Sequence, residues 1–241
     1  MKKYLPVLLF FIGLAVIVGA FFFIKGRGKT SGEEDERVPE IPLSQRPFTS
    51  LTPTSDGHYL NLFVCDQNVE GAESLDYELL YKTLDGITQG VPGTIKLMGK
   101  SEIERELLLG SESSGKFRYD EGVEEGKLTL RFRNDRGKLV GKLVTDFHMQ
   151  SDTKELGSLD GKFTYELARA SDEFFVTMET FGLPGPAPGN LASGPYGVFS
   201  SDGTDFPGVT NMTHFWNGAS WDELAGGASD EIGVFVSLTS E

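Results

Sequence analysis

Two hydrophobic patterns divide this chain. Tyr4 to Ile24 (YLPVLLFFIGLAVIVGAFFFI) carries no charge over 21 positions. At about 1.5 Å of rise per residue that run makes roughly 30 Å of helix, the thickness of a bilayer's hydrocarbon core. Lipid offers no partner to open backbone groups, so the pattern predicts one transmembrane helix over residues 4–24. The run has no polar face, which argues against a helix packed in a soluble core. Val18-Gly19-Ala20 loosely fits a signal-cleavage site, yet Phe21 to Ile24 continues the apolar run past it. The segment therefore reads as an uncleaved signal-anchor.

Beyond residue 56 the period changes to two. His58 to Val64 alternates, and Leu75, Tyr77, Leu79 and Tyr81 fall on one face with Asp76, Glu78 and Leu80 on the other. Leu128, Leu130 and Phe132 point one way while Lys127, Thr129, Arg131 and Arg133 point to water. Asn134-Asp135-Arg136-Gly137 follows with turn chemistry before Lys138 to Phe147, so a β-hairpin is expected. Phe163, Tyr165 and Leu167 alternate again. Phe174 to Thr180 is apolar on both faces, as a central strand is, and Ile232 to Leu238 forms a last strand. Clean alternation with one wet face implies antiparallel sheets.

The expected fold is mainly β: an antiparallel β-sandwich body, one large or two small Ig-like units, after a single N-terminal transmembrane helix. The expected organisation is residues 1–29 as anchor with basic flanks and 30–56 as an acidic, Pro-rich stalk. Residues 57–150 make a first β-unit, and 160–241 a second unit or the rest of the same sandwich. Ser151 to Asp160 reads as a loop or junction. Leu183 to Pro195, with four prolines, reads as a surface loop. Asp85-Gly86 with Gly90 to Gly93 is loosely echoed by Asp202-Gly203 with Pro207 to Val209, a faint sign of duplication.

Charge then narrows the partners. Residues 30–241 carry 17 basic against 36 acidic residues, a net charge of −19. Such a body repels nucleic acid and anionic headgroups, which leaves the bilayer as a partner through residues 4–24 only. Lys2, Lys3 and the terminal amine on one flank balance Lys25, Arg27 and Lys29 on the other. A short basic N-terminus before an apolar run behaves as a signal sequence, so the expected topology is single-pass in the cell membrane. The N-terminus lies inside and the body is extracytoplasmic. One cysteine, Cys65, excludes an intramolecular disulfide framework and reads as a buried thiol at a strand end.

No residue set carries a catalytic, cofactor-binding or metal-ligating signature. Gly110 to Lys116 matches the start of a phosphate-binding loop. Phe117 replaces the required Ser or Thr, and Lys116 to Tyr119 reads as strand, so nucleotide binding is rejected. His58, His148 and His214 share no metal-ligand spacing. The one suggestive patch is Thr213 to Leu224. Asn217-Gly218 predicts a two-residue hairpin loop pairing Trp216 with Ala219 and His214 with Trp221. His214, Trp216 and Trp221 then share a face that suits a protein or glycan partner. These readings point to a membrane-anchored envelope protein with a non-enzymatic binding or structural β-sandwich body. The alternative is an extracytoplasmic hydrolase acting on envelope polymer.

Overall fold

Alternating sequence becomes paired strand throughout the computed structural model, which describes residues 38–65 and 68–239. The run Tyr4–Ile24 and its basic flanks lie outside the described residues. Among those described, no helix is long and apolar enough to cross a membrane. The protein is mainly β, about 56% strand and about 3% helix, and every strand pairing is antiparallel.

The spine is a nine-stranded sheet. Its first half holds β3 (Ser74–Lys82), β4 (Thr88–Lys96), β8 (Glu125–Arg133) and β9 (Leu139–Gln150). Its second half holds β12 (Phe175–Glu179), β13 (Leu191–Ser200), β15 (His214–Trp216), β16 (Trp221–Glu223) and β18 (Val234–Leu238). The spatial order is β16-β15-β18-β13-β12-β9-β8-β3-β4. A three-stranded sheet of β1 (Phe48–Pro53), β2 (Tyr59–Cys65) and β5 (Glu102–Leu108) packs on one half. A four-stranded sheet of β10 (Thr153–Gly157), β11 (Thr164–Ser171), β14 (Gly208–Thr210) and β17 (Ala228–Ser229) packs on the other.

The two small sheets cover opposite faces of the spine, and β12 is where the covered face changes. Val176 and Met178 enter the first core beside Leu60, Phe132 and Phe147. Phe175 enters the second, beside Phe163, Tyr165 and Phe235. Neighbouring residues of a strand point to opposite faces, so one five-residue strand serves both cores. Four of its five residues are buried, which explains the absence of a polar alternation there.

The chain path repeats where the residues do not. The hairpin β1–β2 gains β5 on β2, and the hairpin β10–β11 gains β14 on β11, each after a hairpin placed in the spine. The Gly/Pro echo is not part of this repeat. Asp85–Gly93 spans the β3–β4 turn and strand β4, whereas Asp202–Val209 leads from β13 into β14.

Four expectations change. Residues 48–53, placed in the stalk, form β1, because Leu51 and Thr49 are fully buried and the strand ladders along β2. Pro53 is tolerated at the end of that strand. Thr153–Gly157, inside the expected junction, is β10, and its Leu156 seals the second core. The proline-rich loop stops short of Pro195: β13 begins at Leu191, and its pairing with β18 shifts between Ser193 and Tyr196. That irregularity accommodates a proline that donates no ladder hydrogen bond. Cys65 ends β2 as expected but is half-buried, on the face turned away from the core.

Candidate functional site

The turn between β1 and β2 is organised by Asp56. Thr54 Oγ1 donates to Asp56 Oδ1 at 2.6 Å, and the His58 backbone N–H donates to the same oxygen at 3.0 Å. Asp56 Oδ2 lies 3.2 Å from His58 Nδ1. The Thr54 hydrogen bond, then that of the His58 N–H, holds the Asp56 carboxyl below its usual range. Gly57 has φ +67°, and a Cβ there would come within 2.6 Å of the Phe174 ring. Glycine is required because the turn closes directly on that ring.

The turn sets His58 against a projecting hairpin. The His58 and Tyr119 rings stack at 3.8 Å between centroids and 5° between planes. Tyr119 is nearly parallel in turn to Phe117, at 6.1 Å and 9°, and Tyr59 meets Tyr119 edge-on at 6.1 Å. Hydrogen bonding to Tyr119 raises the Tyr59 hydroxyl above its ordinary value. The hairpin is β6 (Gly110–Ser113) with β7 (Lys116–Tyr119), and all four β7 residues are exposed, Phe117 by 50%. The phosphate-loop look-alike is thus a β-hairpin, turned at Ser114 and Gly115 in left-handed conformations. No helix follows it to face a phosphate.

Beside His58 opens a cavity of about 470 Å³. Its wall includes Asp56, Asp120, Glu121 and Glu124, and no lysine or arginine. Tyr81, buried in the first core, donates to Asp120 Oδ2 at 2.9 Å and so fixes that carboxylate from beneath. No basic side chain among the described residues pairs with Asp120, Glu121 or Glu124. Nearby basic residues have other partners: Lys82 pairs with Glu125, Lys127 with Asp146, Arg133 with Asp76 at 2.6 Å and Arg131 with Glu78 at 3.0 Å. On the far wall His148 Nδ1 lies 2.8 Å from Gly157 O, which makes Nδ1 the donor and leaves Nε2 as the free nitrogen. The Gln150 amide is engaged at both ends, with Nε2 donating to Glu155 O and Oε1 accepting from Gly157 N–H. Among the described residues no three His, Cys, Asp or Glu side chains converge to hold a metal ion.

Trp216 and Trp221 lie apart from this cleft, on β15 and β16. The hairpin loop has four residues, so Trp216 pairs with Trp221 and His214 with Glu223. Asn217 lengthens the turn: its Oδ1 accepts the Ala219 and Ser220 N–H groups, and its Nδ2 donates to Ser220 Oγ and Asp222 Oδ2. Directly paired residues share a face, so His214, Trp216 and Trp221 stand together, while Phe215 enters the second core. The indoles are half-buried, 5.3 Å apart and tilted by 59°. Trp221 Nε1 donates to Pro186 O at 2.8 Å, and a Cβ on Gly185 would meet Trp216 at 2.3 Å. The Leu183–Asn190 loop therefore lies on this pair and is clamped by it. His214 Nδ1 lies 2.9 Å from Thr213 Oγ1.

Sequence reading singled out the tryptophans and passed over Phe117, Tyr119 and His58. The available signal was four alternating basic and aromatic residues, Lys116 to Tyr119, too short a strand to bury either set. That His58 meets them depends on pairing between distant segments. Comparison with known proteins gives no match: no family model fits the chain, and neither a curated protein nor a solved structure resembles it.

Proposed function

We propose that this chain is a membrane-anchored envelope protein. In this reading residues 4–24 hold it in the cell membrane as a single pass, and its extracytoplasmic β-sandwich body binds a surface glycan without transforming it. The observation that carries the reading is the row of nearly parallel rings Phe117, Tyr119 and His58 at the mouth of a carboxylate-lined cleft. A sugar offers an apolar C–H face and a rim of hydroxyls. Exposed rings take the first, and convergent polar groups in a concave site take the second.

The Asp56–His58 pair lends the hydrolase alternative its support, because a carboxylate on Nδ1 orients an imidazole to act as base through Nε2. No serine, threonine or cysteine among the described residues is hydrogen-bonded to His58, so binding takes precedence. Full-length protein in detergent, titrated with soluble fragments of envelope polysaccharide, tests it. Binding that falls with Phe117→Ala and Tyr119→Ala supports the reading. Release of new reducing ends that depends on His58 would replace it with the hydrolase. Protease added to intact cells should digest the body; a body cut only after lysis reverses the topology.

A further inference from the structure

We infer that the ring row and cleft select a positively charged glycan, an amino sugar carrying a free ammonium, over its acetylated or uronic counterpart. The inference rests on the glycan-binding reading above and adds the charge of the ligand.

Three observations converge on it. The rings Phe117, Tyr119 and His58 form an exposed aromatic shelf, and the faces of Phe117 and Tyr119 are of the kind that attract cations. The adjoining cavity of about 470 Å³ is large enough for a sugar residue and carries four carboxylates against no lysine or arginine. The bases nearest in the sheet, Lys82 and Lys127, are held by Glu125 and Asp146, and among the described residues none is ion-paired to Asp120, Glu121 or Glu124.

The geometry also decides what kind of cation fits. A metal ion needs three or more ligands converging on a point, and the described residues offer no such group. An ammonium on a sugar ring needs less: three donors that find acceptors spread around a wall. Glu121 and Glu124 supply such acceptors, while Asp56 is already engaged by Thr54 and His58 and Asp120 by Tyr81. A uronic carboxylate in the same place would be repelled by the four carboxylates of the wall.

The test is calorimetric titration of full-length protein in detergent with three oligomers of equal length: glucosamine, N-acetylglucosamine and galacturonate. Mildly acidic pH keeps the amine protonated and the carboxylates ionised. The glucosamine oligomer should bind about tenfold tighter than the acetylated one, with the gap closing as salt rises, and galacturonate should not bind. Glu121 and Glu124 are exposed, so the Glu121→Gln, Glu124→Gln double variant should fold normally. It should lose most of the preference while keeping its affinity for the acetylated oligomer. Equal affinity for glucosamine and its acetylated form, a preference for galacturonate, or a preference unchanged in the double variant would each overturn the charge inference. All three leave glycan binding intact. Absence of binding to any oligomer or envelope fragment defeats the glycan reading itself.

Discussion

The Tyr81 hydroxyl donates to Asp120 Oδ2 at 2.9 Å, joining the floor of the first core to the wall of the cleft. Burial, and then this hydrogen bond, push the Tyr81 phenol far above its ordinary value. Tyr81→Phe removes one donor and leaves the carboxylate less well held. A hydrogen bond to a charged group contributes about 1.5–3 kcal/mol, so the variant should lose unfolding free energy of that order, read as a lower urea midpoint with an unchanged slope. An unchanged midpoint would mean that water replaces the phenol at Asp120.

Tyr165 gives the stability a defined alkaline limit. It is fully buried in the second core, and its hydroxyl donates to Phe206 O at 2.8 Å. Burial pushes its phenol up to about 12, from an ordinary value of 10.0. The folded state therefore holds a proton that the unfolded state releases first. The contribution is complete below pH 10 and is lost as pH rises toward 12. Unfolding midpoints measured from neutral pH upward should be flat to about 10 and then fall. In Tyr165→Phe the fall should be shallower by one proton's worth of slope.

Thr177 sits on β12, 1% exposed, and its Oγ1 has no hydrogen-bond partner among the described residues. A buried hydroxyl without a partner costs about 1–3 kcal/mol, and valine fills nearly the same volume with apolar atoms. Thr177→Val should stabilise the fold by about 1 kcal/mol, read as a raised melting temperature. A lower one would reveal a partner for the hydroxyl in solution.

Trp221 tests whether the tryptophan pair serves the fold or a partner. Its Nε1 hydrogen bond to Pro186 O holds the Leu183–Asn190 loop. Trp221→Phe keeps an aromatic body and loses that bond, a change of about 1 kcal/mol. The expected result is faster limited proteolysis within residues 183–190 with unchanged affinity for envelope fragments. A selective loss of affinity with an intact loop would restore the tryptophans as the contact surface.

Strongly alternating segments were legible in the sequence because one wet face writes its period into the residues. The β8–β9 hairpin is an instance: Leu128, Leu130 and Phe132 are fully buried and the turn lies at Asn134–Gly137. The apolar stretch at Phe174–Thr180 was legible as a central strand for the opposite reason, since neither of its faces is wet. What escaped was set by tertiary contact. Strand β1 was hidden among prolines that mark an extended chain whether or not it pairs. The four-residue loop at Asn217 was decided by side-chain hydrogen bonds that outweighed the Asn-Gly turn signal. The cleft combines residues from 56 to 174, so no local pattern announces it.

A shared β12 makes the two cores one cooperative unit. Phe175 fills the second core and Met178 the first, each with no exposed surface and three residues apart on the same strand. Phe175→Ala should cost about 3–5 kcal/mol and Met178→Ala about 2–5 kcal/mol. If the cores were independent, each variant would melt its own half early and leave the other at the wild-type temperature. The spine argues against that, because loss of either core frees β12 from one face while β9 and β13 remain hydrogen-bonded to it. Each variant should therefore unfold in a single transition, with tyrosine and tryptophan signals moving together although both tryptophans lie in the second half. Two separated transitions in either variant would show that the nine-stranded sheet joins two folding units rather than making one.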